Sequence, residues 1–203
     1  MTLSRRDALS LLSVGGLASL TVGAATARAG EVRRTRYNFT SDKWTGRTRY
    51  AGKKTVSYRS KHKPGTIIIS TSKRKLYFIL SETKAIEYGV GVGRQGFEWS
   101  GKAKIARKAE WPSWRPPKEM IIREREKYGR ELPAFVEGGP TNPLGARALY
   151  LYEGGRDTLY RIHGTNAPQT IGLAMSSGCI RMLNEEVIDL YRRVRIGAKV
   201  IVA

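Results

Sequence analysis

One cysteine and one histidine in the C-terminal part of the chain have side chains suited to covalent chemistry. Cys179 is the only cysteine among 203 residues, and His163 is one of two histidines. A thiol must lose its proton to become a strong nucleophile, and a nearby imidazole can accept that proton. If His163 lowers the pKa of Cys179, thiolate would be present near neutral pH. The pair therefore predicts attack by sulfur on a carbonyl carbon.

Small residues surround the cysteine. Gly178 precedes Cys179 and would let the backbone turn sharply enough to expose the sulfur. Backbone N–H groups around such a turn could face a developing oxyanion. Ser177 is expected to contribute backbone groups, and Ser176 to orient the imidazole or to stabilise the turn. A lone cysteine is more often a small buried hydrophobic residue, and for His163 a structural role is the corresponding alternative.

The segments around these residues resemble one enzyme family. His163-Gly164 is followed by the run Ser176-Ser177-Gly178-Cys179-Ile180-Arg181-Met182. The pattern is similar to the signature of the L,D-transpeptidases, the YkuD-type cysteine enzymes that remodel peptidoglycan, and the similarity extends from about Gly65 to Val202. Many members have a histidine where this chain has Ser177, although serine also occurs there. Proton transfer then depends on His163 alone.

The resemblance implies a fold and a reaction. The fold would be mainly β, a β-sandwich-like catalytic domain with two helices, and the reaction would need no cofactor and no metal. Cys179 would attack a peptidoglycan stem peptide at the carbonyl before the terminal D-alanine and form a thioester. The acyl group would pass to an amine, either of a second stem, giving a 3-3 crosslink, or of an envelope protein.

Three further residues follow from the same resemblance as supporting or substrate-binding groups. Arg181 would hold a substrate carboxylate, because guanidinium binds carboxylates through paired hydrogen bonds; pairing with a structural acid is the alternative. Trp114 lies in a Pro-rich segment that borders the substrate groove in the family, and packing on the sheet is its alternative role. Gly164, directly after His163, belongs to the signature itself.

Two other functional classes stay open. One is an L,D-carboxypeptidase or amidase that hydrolyses the same bond, with water replacing the amine. The other is a non-catalytic wall-binding module that keeps the fold. Product analysis with and without an amine acceptor separates the first class from a transferase, and the rate of thiol labelling tests the second.

Residues 1–29 have the order of an export signal. Arg5 and Arg6 form a twin-arginine pattern, and a Gly/Ala-rich apolar run extends from Leu9 to Ala25. A small-residue cleavage site then precedes Gly30. The segment predicts export to the periplasm by the twin-arginine route, and an uncleaved helical anchor is the alternative. A single cysteine in an exported protein also favours a reactive role for that thiol.

Residues 30–64 are predicted to form a basic N-terminal arm that precedes the catalytic domain at 65–203. The arm holds eleven lysines and arginines against Glu31 and Asp42, in a chain whose formal net charge is +20. Apolar residues are sparse there, which predicts little regular structure. For an exported protein we expect electrostatic contact with the anionic envelope and no nucleic acid partner, and a plain solvated tail is the alternative.

The remaining pattern predicts the elements that position the motif. Strands are expected at 66–70, 75–80, 85–92, 104–108, 148–152, 158–163 and 199–202, and helices at 117–130 and from Asn184 through Val194. Asn184 is expected to cap the second helix, and His163 to stand at a strand end. The closely spaced glycines at 89–96 do not fit a dinucleotide loop, because no helical pattern follows them.

Overall fold

The computed structural model describes residues 50–94 and 99–203, and the predicted export signal and residues 30–49 of the arm lie outside this part. The strands are β1 Lys54–Ser57, β2 Ile67–Ser70, β3 Lys75–Ile79, β4 Lys84–Gly89, β5 Val92–Gly93, β6 Gly101–Glu110, β7 Arg147–Glu153, β8 Arg156–His163, β9 Ala174–Ser176, β10 Ile180–Arg181 and β11 Lys199–Val202. The α-helices are α1 Lys118–Tyr128 and α2 Asn184–Arg193, with a short 3₁₀ turn at Pro168–Thr170. The expected mainly β fold with two helices is confirmed.

In the described part of the chain, nine strands form one mixed sheet in the order β1-β4-β3-β2-β11-β6-β7-β8-β10. Most neighbours are antiparallel, and the pairs β2–β11 and β8–β10 are parallel. Strands β5 and β9 form a separate parallel pair. The sheet therefore ends at the two-residue strand β10, which follows Cys179 directly.

Apolar side chains that alternate along the strands form the core. In β2, Ile67 and Ile69 are fully buried, and Leu76 of β3 joins them. Helix α2 covers this core with Val187 and Leu190, both fully buried. Burying one such aliphatic side chain contributes roughly 1.5–3 kcal/mol, so α2 is held firmly at the position where it leaves the cysteine segment.

Several strand predictions need correction. The arm is not wholly irregular, because β1 pairs with β4 and the ring of Tyr58 lies 4.5 Å from that of Tyr77. The strand expected at 85–92 ends at Gly89, and Val92–Gly93 pairs with β9 instead. Strand β6 has ten residues rather than five, because β7 and β11 pair with different parts of it.

Both helices form close to the predicted positions. Helix α1 follows Pro117 and ends at Gly129, whose φ of 60° is the left-handed conformation that glycine adopts most easily. It buries no residue completely, as its interleaved charges indicate. Helix α2 begins at Asn184, but the residue in the capping position is Leu183 and no side chain caps the helix. No helix among the described residues is long and apolar enough to span a membrane.

A buried carboxyl on α2 makes the stability of the fold depend on pH. Glu186 is 3% exposed, and one of its carboxylate oxygens has no hydrogen-bond partner. Burial raises the pKa of Glu186 to about 7, Glu185 adds to the rise, and Tyr50 and Lys53 oppose it. The folded chain therefore binds this proton more tightly than the unfolded chain does.

We expect the free energy of unfolding to fall as the pH rises from the ordinary glutamate value through about 7, by up to about 3 kcal/mol. Glu186→Gln should remove this loss and stabilise the protein at pH 8. Urea denaturation of both proteins at pH 5 and pH 8 measures the difference. Glu185→Gln, at an exposed position, is the control, and an equal effect there would refute the assignment to Glu186.

Candidate active site

Parallel pairing of β8 with β10 brings the two halves of the motif together. His163 is the register partner of Arg181, and the N–H of Met182 donates to the carbonyl oxygen of His163 at 2.8 Å. The preceding pair, Ile162 and Ile180, is part of the hydrophobic core. Because side chains alternate along a strand, His163 and Arg181 lie on the opposite face of the sheet.

Cys179 directly precedes β10, and the charge of Arg181 acts on its thiol. The thiol is half-buried, and its hydrogen bond among the described residues is to the carbonyl oxygen of Leu159, with a sulfur–oxygen distance of 3.9 Å. Leu159 has a φ of 63°, a conformation that is unusual for a residue with a side chain. In the resting structure the hydrogen-bond partner of the thiol is thus a backbone carbonyl.

The protonation state of His163 is fixed by its neighbour. The Nδ1 atom lies 2.6 Å from the carbonyl oxygen of Gly164. A carbonyl oxygen can only accept, so Nδ1 carries the proton and Nε2 keeps its lone pair. Burial lowers the pKa of His163 to about 3, the charge of Arg181 adds to the effect, and hydrogen bonds to the backbone at Gly164 and Leu144 oppose it. The imidazole is therefore a neutral base at neutral pH.

The thiol is also neutral in the resting protein. Burial raises the pKa of Cys179, and this outweighs the opposing effects of the backbone and charge of Arg161 and of the charge of Arg181. The expectation that thiolate is already present near neutral pH is therefore wrong. A thiol that is neutral in the resting protein has to lose its proton during the attack itself.

Ser176 organises the turn that presents the cysteine. Its hydroxyl donates to the carbonyl oxygen of Cys179 at 2.6 Å and accepts from the N–H of Gly178 at 3.2 Å. Gly178 has a φ of 109°, which favours glycine. The N–H of Gly178 is thus occupied, whereas the N–H of Cys179 bonds to no described residue. Ser177 receives a hydrogen bond from Arg123 of helix α1, at 3.2 Å.

A glycine in the β4–β5 connection supports Arg181 from the other side. The N–H of Gly91 donates to the carbonyl oxygen of Arg181 at 2.9 Å, and the N–H of Arg181 donates back at 2.8 Å. A Cβ on Gly91 would lie 2.8 Å from the carbonyl oxygen of Thr170. Gly89 and Gly91 therefore allow close packing of strands and loops.

The arrangement matches a known family of domains. The model of the YkuD L,D-transpeptidase catalytic domain matches residues 64–202. This protein belongs to the L,D-transpeptidase family. The probable L,D-transpeptidase ErfK/SrfK of Escherichia coli K12 is 39% identical over 137 residues, which cover 66% of this chain and 42% of that protein. The chain therefore spans less than half the length of that relative.

Two solved structures share this L,D-transpeptidase fold. A Brucella melitensis protein described as a probable carnitine operon oxidoreductase is 48% identical, with a TM-score of 0.51, over 80% of this chain and 99% of that one. L,D-transpeptidase 3 from Mycobacterium tuberculosis is 14% identical, with a TM-score of 0.51, over 68% of this chain and 60% of that one. The similarity to the Mycobacterium tuberculosis structure concerns the fold alone. The description as an oxidoreductase applies to the Brucella protein.

Arg181 and Arg161 of this transpeptidase domain have different surroundings. Arg161 donates two hydrogen bonds to Asp157, at 2.7 and 2.8 Å, and lies over the ring of Tyr150. Arg181 is half-buried and makes no ion pair with a described residue. A half-buried guanidinium without a counter-charge is costly, so Arg181 is the better placed of the two to receive an external carboxylate.

Trp114 lies in the segment between β6 and α1, and its place beside the substrate groove stays a prediction. It is half-buried, and its backbone forms a bridge to Val136 through two hydrogen bonds of 2.8 and 2.9 Å. The element that reaches the cysteine turn is α1, through Arg123. The charge pattern of α1 predicts a solvated helix but does not reveal this contact.

Asn184 holds the backbone around His163, a role that sequence patterns do not reveal. Its Oδ1 accepts from the N–H groups of Ala146 and Thr165 at 2.9 and 3.2 Å, and its Nδ2 donates to the carbonyl oxygen of Thr165 at 2.9 Å. A Cβ on Gly145 or Gly164 would collide with this amide. Gly164 thus supports the site in two ways: its carbonyl accepts from His163, and its lack of a side chain leaves room for the Asn184 amide.

We expect Asn184→Ala to lower the free energy of unfolding by about 2–4 kcal/mol, because it leaves two buried N–H groups and a carbonyl without partners. Urea denaturation measures the loss. Asn166→Ala is the matched control, since Asn166 makes a single exposed hydrogen bond to Thr141. If both variants lose the same stability, Asn184 does not hold this loop.

Proposed function

We propose that this protein is a peptidoglycan L,D-transpeptidase that works through a thioester on Cys179. Two observations carry the proposal. The hydrogen bond between Nδ1 of His163 and the Gly164 carbonyl leaves Nε2 as the basic nitrogen of the neutral ring, and parallel pairing sets the strand that ends at His163 beside the strand that follows Cys179. Family membership supports an enzyme of this kind. The substrate is proposed to be a stem peptide of the cell wall.

The first half-reaction forms the acyl-enzyme. As a substrate carbonyl binds, the thiol turns from the Leu159 carbonyl toward Nε2 of His163, which takes its proton while sulfur attacks the carbonyl carbon. The N–H of Cys179 faces the oxyanion. The C–N bond to D-alanine breaks, and the imidazolium returns the proton to the leaving amine. Its low pKa, about 3, favours this return.

The second half-reaction reverses the order. An acceptor amine attacks the thioester carbonyl and gives its proton to Nε2 of His163. The C–S bond breaks, and sulfur regains that proton, so that the resting neutral pair is restored. Since the imidazole begins and ends neutral, no net charge is left in the buried site.

Incubation of wall fragments with purified protein, followed by mass spectrometry, tests the proposal. The transferase account predicts crosslinked or amine-capped products in the presence of an acceptor amine. Release of D-alanine with free carboxyl products only, at any amine concentration, would identify a hydrolase. If the folded wild type shows no turnover and behaves like Cys179→Ala in every assay, the protein is a wall-binding module.

Arg181 is proposed to bind a carboxylate of the donor peptide. We expect Arg181→Lys to lower kcat/KM on a tetrapeptide donor by roughly 10-fold, because lysine keeps the charge and loses the planar pair of donors. Steady-state kinetics measure the change, with Arg192→Lys at an exposed position as the control. Equal kinetics in the two variants would return Arg181 to a structural role.

Export to the periplasm is part of the proposal and depends on residues 1–29. Support comes from the twin-arginine order of that segment and from a family whose proposed substrate is the cell wall. Cell fractionation of the wild type and of Arg5→Lys with Arg6→Lys tests it. An unchanged cytoplasmic location of both proteins would contradict export. Contact of residues 30–49 with anionic wall material is proposed from their charge.

A further inference from the structure

A basic cleft lies at the end of the domain where α2 meets β11. Its volume is about 750 Å³. We call it the basic cleft, and its charged lining consists of Lys61, Lys63, Arg193, Arg195 and Lys199. Among residues 50–94 and 99–203, no aspartate or glutamate lines it. Within the described ranges only Arg193 of these five has a counter-charge, supplied by Asp189.

A second basic pocket differs from the basic cleft because an acidic residue lines it. It contains Lys54, Lys73, Arg74 and Lys75, but it also contains Glu87. Glu87 pairs with Lys75 at 3.0 Å and with Lys54 at 3.8 Å. The charges of that pocket are thus partly compensated within the protein, whereas four cations of the basic cleft form no ion pair with any acid in the described part of the chain.

The sheet adds a further positive charge beside the basic cleft. Lys199 of β11 is the register partner of Lys104 on β6, and both side chains are exposed. Like charges directly opposite one another on neighbouring strands are destabilising. An external anion would remove this repulsion.

Two exposed aliphatic side chains accompany the cations. Leu80, 38% exposed, lines the basic cleft, and Ile196, 66% exposed, follows Arg195 at the turn between α2 and β11. Phe78 and Ile79 also contribute to the lining. A soluble polyanion needs only the cations, whereas a lipid surface offers phosphate groups next to an apolar layer.

We propose that the basic cleft binds the phosphate headgroups of an anionic lipid surface, with Leu80 and Ile196 entering its interfacial layer. Helix α2 begins beside the cysteine site and ends at Arg193, so the basic cleft lies roughly 15 Å along the helix from Asn184. Docking there leaves the face that carries Cys179 free for the wall. The site is independent of the proposed reaction.

Vesicle co-sedimentation of the full chain tests this site. Vesicles of phosphatidylcholine with phosphatidylglycerol are compared with phosphatidylcholine alone, and binding should require the anionic lipid and weaken as salt rises. Lys61→Gln with Lys63→Gln and Lys199→Gln should lower the affinity at least about tenfold. The control, with the same charge change, is Lys73→Gln with Lys118→Gln and Lys127→Gln, all at exposed positions.

A second pair of variants tests the apolar contact. Leu80→Ser with Ile196→Ser should weaken vesicle binding and leave binding of soluble polyphosphate unchanged. Ile122→Ser with Leu173→Ser, also at exposed positions, is the control and should bind vesicles like the wild type. Hydrogen exchange of the full chain should show slower exchange at 60–66 and 193–199 when anionic vesicles are added.

Three results would overturn the proposal. Equal losses in both lysine triples would mean that only net charge matters. Unchanged vesicle binding by Leu80→Ser with Ile196→Ser would identify a site for soluble anions. Unchanged exchange at 193–199 would place the membrane contact elsewhere in the chain. Circular dichroism shows that each variant is folded, and none of these measurements depends on Cys179.

Discussion

Replacing Cys179 with serine is expected to lower turnover of a stem tetrapeptide by about 10³-fold or more. A hydroxyl is far less acidic than a thiol, and the neighbouring base is weak because burial holds the pKa of His163 to about 3. Such a base can take a proton from a thiol during attack but not from an alcohol. Release of D-alanine, followed by mass spectrometry, measures the rate.

The same substitution should leave the fold intact. Among the described residues the side chain of Cys179 makes one weak hydrogen bond, to the Leu159 carbonyl at 3.9 Å. Thermal unfolding of Cys179→Ser should therefore resemble that of the wild type. A serine variant that keeps a tenth of the wild-type rate would show that sulfur is not the nucleophile.

His163→Ala is expected to lower kcat/KM by about 10²–10⁴-fold, the usual effect of removing a general base. The dependence on pH gives a sharper test than the magnitude. Only the neutral imidazole can accept the thiol proton, and a pKa of about 3 keeps it neutral throughout mildly acidic conditions. Wild-type activity should therefore show no loss near the ordinary histidine pKa of about 6.5.

In His163→Ala the remaining activity should rise with pH, because attack then waits for unassisted ionisation of a thiol whose pKa burial raises. Rates from pH 4.5 to 9 on a small donor peptide provide both profiles. Wild-type activity that falls with an apparent pKa near 6.5 would contradict the buried neutral base described for His163.

Local patterns in the sequence predict those parts of the fold that local forces determine. The hairpin of β2 and β3 follows from a β-branched run, a polar turn and a second apolar run, and β11 begins and ends where the pattern places it. The resemblance of the segments around Cys179 and His163 to a family signature also predicts the family and the chemistry of these two residues.

What the sequence does not reveal depends on pairing between distant segments. Asn184 has the type and position of a helix cap, yet its amide binds the backbone at Ala146 and Thr165, 38 and 19 residues away. Leu159, with its positive φ, lies in the part of β8 where the pairing with β7 is irregular. Local propensity carries no information about either contact.

The protonation of the site is also a tertiary property. From the sequence, a cysteine with a histidine predicts an activated thiolate. Burial in the folded domain instead lowers the pKa of His163 and raises that of Cys179. Because desolvation disfavours the charged form of each group, the neutral pair is the stable state, and this cannot be read from residue types.

The most direct test of the central claim is the intact mass of the protein after incubation with a carbapenem. The strained amide of this drug can open without losing a fragment, so attack by Cys179 should add one whole drug mass and no more. His163→Ala should react more slowly, and Cys179→Ser and protein with a previously alkylated thiol should gain nothing. A folded wild-type protein that gains no mass, or a serine variant that gains as much as the wild type, would contradict covalent catalysis at Cys179.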